Sequence, residues 1–417
     1  MPADQSDRAI LEALFQTALG AAYPETRMAG LLPDRPRGRT IVLGAGKGAA
    51  RMARAFETLW PHPCEGLVVT RYGHGAPTER IEVVEASHPV PDAAGVAAAR
   101  RILDLARAAG PDDLVVCLIS GGASALLSLP AEGLALADKQ AINKALLRSG
   151  APIQEMNAVR KAMSAIKGGR LAAAAAPARV ATYLISDVPG DDPGTIGSGP
   201  TVAGGADPEA ALAILQRYGI PVSAEVERAI RANAAPQSLP AANALHMLAT
   251  PQMALEAAAA KARDLGLTPV ILGDALEGEA REVGRVMAGI AQGAARHGQP
   301  AAAPCVLLSG GETTVTVKGD GRGGRNVEFL LALVIQLQGQ PGIAAIACDT
   351  DGIDGSEDNA GAWADAAILA AGQDKGLAAA DFLARNDAYS YFAALDRLVV
   401  TGPTLTNVND FRAVLVK

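Results

Sequence analysis

The chain has 417 residues, 49% hydrophobic and only 3% aromatic, with a formal charge of −7 and a sequence pI near 5.4. That length suits two or three domains, and the apolar content supplies a sizeable core. The acidic balance excludes nucleic acid or an anionic membrane as a main partner, since both select broad basic surfaces, while local basic pockets stay compatible with it.

Strand and helix patterns alternate along the chain. RTIVLGA (39–45) runs into the turn GAGKG and a periodic segment over 48–60. EGLVVT (65–70) and IEVVEAS (81–87) follow, then ASHPVPD and a second periodic segment over 93–109. DLVVCLIS (113–120) ends in Ser-Gly-Gly; a helical pattern over 153–166 precedes RVATYLIS (179–186) and an acidic loop. NAAPQSLPAANA (233–244) has no periodicity and marks a boundary, giving domains 1–240 and 241–417. Beyond it come ALHMLA (244–249), a helical pattern over 253–265, TPVILGD (268–274), APCVLLSG (303–310) and ETTVTVK (312–318). A helix starts near Arg325, and GIAAIACD (342–349) and DFRAVLV (410–416) close the series.

This alternation predicts two α/β domains with mainly parallel sheets covered by helices, because the strands read as continuous apolar runs. The second domain is expected to hold a mixed sheet, with ETTVTVK as an antiparallel strand. The cysteines Cys64, Cys117, Cys305 and Cys348 are far apart, three of them in strand-like runs, and read as small buried hydrophobes. No apolar run approaches the roughly 18 residues that span a bilayer. MPADQSDRAILEALF lacks the features of a signal peptide, so a cytoplasmic protein is expected, as a monomer or homodimer.

Four loops carry the chemistry. In VLGAGKGAARMA, Gly44, Gly46 and Ala49 fit a dinucleotide-binding turn, but the second strand ends in Thr70 and Arg71 where that fingerprint wants an acid. Glu65 has the spacing but stands at that strand's start. Lys47 within the turn instead suits a phosphate or a substrate carboxylate. GDGRGGRN (319–326) places Arg322 and Arg325 in a glycine cluster at a helix start, where a guanidinium and the helix N-terminus could act on one anion. Arg322 is expected on the solvent side. The loop 184–201 offers Asp187, Asp191, Asp192, Ser198 and Thr201; the loop 348–362 offers Asp349, Asp351, Asp354 and Asp358. Carboxylates on loops after strands suit Mg²⁺, although most such acids cap turns and helices. His88 suits a general base, a substrate contact or a plain turn residue.

Taken in order, eight segments resemble the glycerate 2-kinases: VLGAGKGAARMA, ASHPVPD, LISGGASALL, NAVRKAMSAIKGGRLA, LISDVPGDDPGTIGSGPT, SGGETTVTVKGDGRGGRN, DTDGIDG and TGPTLTNVNDFRAVLV. The last three lie in what that family calls its MOFRL domain. The resemblance implies transfer of the γ-phosphoryl of ATP to the 2-hydroxyl of D-glycerate, with a divalent metal, giving 2-phosphoglycerate. It also implies Lys47 and Arg325 as catalytic residues. Nucleotide contacts are expected from Gly44, Gly46, Ser120, Gly121 and Gly122, and from Ser309, Gly310, Gly311 and Glu312. Asp187 and Asp351 are expected to serve Mg²⁺, and the loops to face a cleft between the domains. Two departures stand out: Ala162 replaces a frequent histidine, and Val327 a frequent glutamine. The rival readings are an NAD(P)H-dependent hydroxypyruvate reductase, with His88 as proton donor, and a non-catalytic sensor of sugar acids or phosphates.

Overall fold

In a computed structural model of the chain, residues 6–204, 207–234, 239 and 243–417 are described. Of the expected boundary segment 233–244, residues 235–238 and 240–242 lie outside them. The chain forms two compact units, Pro24–Leu248 and Met1–Tyr23 with Ala249–Lys417. The N-terminal helix Asp7–Ala21 thus belongs with the later unit, unlike the expected division at 240/241. Its sequence explains this: Ser6 caps it through Ala9 N–H, and Ile10, Leu11, Leu14, Phe15 and Ala18 form one buried face. The Phe15 ring lies 5.8 Å from Phe411.

The unit Pro24–Leu248 is built on β1 (Thr40–Ala45), β2 (Glu65–Arg71), β3 (Ile81–Ala86), β4 (Leu114–Ile119), β5 (Arg179–Ile185) and β6 (Asn243–Ala249). Their order in the sheet is β3-β2-β1-β4-β5-β6, and β1 to β5 pair in parallel. Every residue of β1 and β4 is buried, as their unbroken apolar runs require. Strand order reverses between β1 and β4, which is where open α/β sheets leave a crevice at the strands' carboxyl ends. Helices Ala49–Leu59 and Ala93–Arg107 pack on these strands. A second, purely helical core gathers Ile142, Leu146, Val159, Ile214 and Ile230.

The later unit holds β7 (Thr268–Gly273), β8 (Gly278–Glu279), β9 (Cys305–Ser309), β10 (Thr313–Thr314), β11 (Ile343–Asp349), β12 (Gly361–Ala364), β13 (Leu398–Val399) and β14 (Asp410–Val416). Its main sheet runs β13-β12-β11-β14-β9-β7 and is mixed, with β7 and β9 parallel and the other pairs antiparallel. ETTVTVK does not form the expected antiparallel strand. Only Thr313 and Thr314 are extended, and they pair in parallel with β8. Side chains take the amides that a longer ladder would need: Glu279 accepts from Thr316 N–H, and Asn386 Oδ1 from Lys318 and Gly319 N–H. The helix Arg325–Leu337 is buried on nearly every side, in keeping with its VEFLLALVIQL run.

Cys117, Cys305 and Cys348 are buried and Cys64 is half-buried, all as thiols; burial pushes Cys117 up to about 12. Among the described residues no helix is long and apolar enough to cross a membrane.

Candidate functional site

The Lys47 turn is fixed by β4's own turn. Lys47 N–H donates to the Gly121 carbonyl at 2.8 Å, and Gly48 N–H to the buried Ser120 hydroxyl at 2.9 Å. Gly46 has φ +134°, and a Cβ there would stand 2.2 Å from Ser120 Oγ, so no other residue fits so close to the Ser-Gly-Gly turn. Gly44, inside β1, is similarly tight against the Leu118 carbonyl. A Cβ placed on Gly122 would meet His88 Nε2 at 3.1 Å and Lys47 Cγ at 3.2 Å. The amine stem, the imidazole and the Ser-Gly-Gly backbone therefore converge at the carboxyl ends of β1 and β4. At the end of β2, Thr70 is buried and donates to the Lys47 carbonyl at 3.4 Å.

The loop after β5 is partly self-satisfied. Asp192 accepts from Thr195 Oγ1 at 2.6 Å and from Gly194 N–H, which together with Lys161 hold its carboxyl below the ordinary range against burial. Ser198 Oγ lies 2.8 Å from Ser124 Oγ. Asp187 is half-buried.

In the later unit Arg325 opens its helix, but the anion it meets belongs to the protein. Nε donates to Asp410 at 2.8 Å, Nη1 to Glu312 at 2.9 Å and Nη2 to Asp349 at 2.8 Å. Burial opposes the charge; Asp410, Asp349 and Glu312 outweigh it and hold the guanidinium above its usual range. The helix N-terminus is also taken. The buried Asp354 accepts from Asn326 N–H at 3.0 Å and Val327 N–H at 2.9 Å, so the expected joint grip of guanidinium and helix end on one ligand is occupied by carboxylates. Burial raises the Asp354 carboxyl to about 6, against the two backbone N–H groups it accepts. Gly324 is needed here because a Cβ would come 2.3 Å from Asp354 Oδ1.

The second Ser-Gly-Gly turn is tied down as well. Gly310 N–H donates to the Gly273 carbonyl, Asp410 N–H to Gly311, and the buried Arg412 to the Gly310 carbonyl at 3.0 Å and to Asp410. Asp349 also accepts Asp351 N–H at 3.0 Å, and Asp351 accepts Ile353 N–H at 2.9 Å. Arg322 is exposed, paired with Glu357 and lying 4.5 Å over the Tyr389 ring, as its expected solvent side requires. Among the described residues no group of three or more His, Cys, Asp or Glu side chains is arranged to hold a metal.

Residues 10–231 match the family described as "Domain of unknown function (DUF4147)", and residues 305–410 match the MOFRL family. D-glycerate 2-kinase of Thermotoga maritima is 39% identical over 95% of this chain and 95% of its own. The chain belongs to the glycerate 2-kinase family. A crystal structure of glycerate kinase from Thermotoga maritima aligns with a TM-score of 0.90 at 36% identity, covering 98% of this chain and 99% of that one. A protein of Agrobacterium vitis called "Putative hydroxypyruvate reductase" is 54% identical over 99% of this chain and 95% of its own. Against the glycerate 2-kinase pattern, Ala162 is fully buried in the helical core beside Val159, so that position packs rather than faces a ligand. Val327 contributes its backbone N–H to Asp354, a role that does not depend on its side chain. Asp410 escaped the sequence reading; its signal is an acid opening an otherwise apolar strand, two residues before a buried arginine.

Proposed function

We propose that the chain phosphorylates D-glycerate on its 2-hydroxyl with ATP, giving 2-phosphoglycerate and ADP. The observation that carries the reading is the Lys47 amine stem at the sheet's switch point, beside the Ser-Gly-Gly turn and His88. Phosphoryl transfer asks the protein for positioning and charge neutralisation more than covalent chemistry. Lys47 supplies a point charge to a transferring phosphoryl group, and the Gly44, Gly46 and Ser120–Gly122 backbone lets phosphates approach closely. His88, at the same turn, suits the substrate hydroxyl's proton.

Arg325 acts through the carboxylates it organises. Its Nη2 fixes Asp349, which in turn accepts the Asp351 N–H, so the guanidinium sets the loop that carries a hard oxygen ligand. Mg²⁺ takes one or two carboxylates, waters and phosphate oxygens, and either Asp351 in the later unit or Asp187 in the earlier one would supply such a carboxylate. When bound, the ion would neutralise charge on the phosphates. Asp187→Asn and Asp351→Asn are each expected to raise the Mg²⁺ concentration giving half-maximal activity; an unchanged Mg²⁺ titration in both would remove them from the metal's environment. Soluble, cytoplasmic residence accords with this reading.

The reductase reading draws on the β3-β2-β1-β4-β5-β6 order, shared with dinucleotide-binding sheets, and on the Agrobacterium vitis relative's name. Against its NADH form stands the end of β2, with Thr70 and Arg71 in place of an acid, whereas an NADPH form would use an arginine there. Paired assays separate the two: ATP-dependent loss of D-glycerate supports the kinase, and hydroxypyruvate-dependent oxidation of NADH or NADPH without ATP turnover overturns it.

A further inference from the structure

The segment NAVRKAMSAIKGGR (157–170) carries four basic residues. Two have evident partners: Arg170 donates to the carbonyls of Lys161, Lys167, Asn233 and Ala234, and Lys161 feels the charge of Asp192. Among the described residues Arg160 and Lys167 do not meet an acid, and neither does Lys139 from the helix Leu136–Ser149. Lys139 is 5% exposed, and its ammonium has no hydrogen-bond partner among the described residues. Lys167 is 2% exposed and donates to the neutral Ser124 carbonyl. Arg160 is braced by two amide oxygens, Asn143 Oδ1 at 3.2 Å and Asn157 Oδ1 at 3.3 Å.

Burying an ammonium without a counter-ion opposes folding. Arg160 reaches Asn143, one helical turn from Lys139 on the helix Leu136–Ser149, so basic groups of neighbouring segments are gathered in one region. Burial pushes Lys139 down to about 7 with help from Arg160, and Lys167 well below its usual range with help from both. Such a cluster weakens the fold by itself, so its use lies in what it binds. Each lysine that a ligand holds in its charged form needs negative charge beside it: a monocarboxylate brings one such charge, a chain of phosphates several, and a braced guanidinium matches phosphate oxygens in a fork. The neighbouring elements are those of the Lys47 turn. Ser124, held by Lys167, follows the Ser120–Gly122 turn directly, and Gln140, next to Lys139, donates to the Pro91 carbonyl in the His88 loop at 2.8 Å.

We propose that Lys139, Arg160 and Lys167 form a phosphate-chain site that receives the polyphosphate of a nucleoside triphosphate. This deepens the kinase reading and rests on it for the identity of the ligand. The test is calorimetric titration of the full-length protein with tripolyphosphate and, separately, with D-glycerate. Lys139→Met is expected to weaken tripolyphosphate binding at least about tenfold, leave D-glycerate binding unchanged, and keep or raise the melting temperature of the unliganded protein. Arg160→Gln, which retains an amide for Asn143 and Asn157, should show the same pattern of binding should Lys139→Met fail to fold. Absent tripolyphosphate binding by the unmodified protein, unchanged binding in the variants, or loss of D-glycerate binding alone would each overturn the assignment. The two readings fail separately: Lys139-dependent tripolyphosphate binding with no phosphoryl transfer sinks the kinase and spares the site, while normal transfer with unchanged variants does the reverse.

Discussion

Arg325→Ala is expected to lose stability and turnover together. Asp349 and Asp410 are 3% and 2% exposed, and both share the one guanidinium that faces Glu312. Removing it leaves buried carboxylates short of a counter-charge, which costs about 3–5 kcal/mol in comparable pairs. Urea unfolding at low temperature measures that loss. In protein that remains folded, kcat should fall at least about 10²-fold, roughly 2.7 kcal/mol of transition-state stabilisation, and the Mg²⁺ requirement should rise because Asp349 no longer sets the Asp351 loop. Arg325→Lys should recover part of both, since a point charge cannot hold three carboxylates in fixed directions. Arg322→Ala, which gives up an exposed pair with Glu357, should be nearly silent. A folded Arg325→Ala enzyme with unchanged kcat, KM and Mg²⁺ dependence would leave GDGRGGRN a purely structural loop.

Lys47→Met separates chemistry from folding more cleanly. The backbone bond from residue 47 to the Gly121 carbonyl survives the change, as does that from Gly48 to Ser120. The melting temperature should move little. Loss of a preorganised charge at a transferring group typically costs about 10²–10³-fold in kcat, and Lys47→Arg should restore only part of it. A rise in KM for D-glycerate alone, with kcat intact, would show that Lys47 serves ground-state binding instead.

Much of this was legible in the residues. Continuous apolar strands announced the parallel sheet, and the GAGKG and Ser-Gly-Gly turns stand at its switch point because glycine alone fits against the neighbouring turn at Gly46. The short strands β12 and β13 were missed, since GAWA and LV carry neither length nor β-branched alternation. ETTVTVK misled for the opposite reason: its β-branched pattern is strong, yet Glu279 and Asn386 claim its amides. The same lesson holds at Arg325. A glycine-rich loop with an arginine at a helix start reads as an anion grip, but only the fold brings Asp349, Asp354 and Asp410 from distant segments to meet it. The buried ammonium of Lys139 was equally invisible, because nothing local in LADKQAINKALLRS marks which face is covered.

The proposed kinase activity places phosphoryl transfer to the 2-hydroxyl of D-glycerate at the Lys47 turn. The most direct measurement is phosphorus NMR of the product made from ATP, Mg²⁺ and D-glycerate by the unmodified protein. A 2-phosphoglycerate resonance should grow with ADP, and Lys47→Met should abolish it. A 3-phosphoglycerate resonance would contradict the assigned hydroxyl, and unchanged ATP and D-glycerate in the presence of folded protein would contradict the kinase itself.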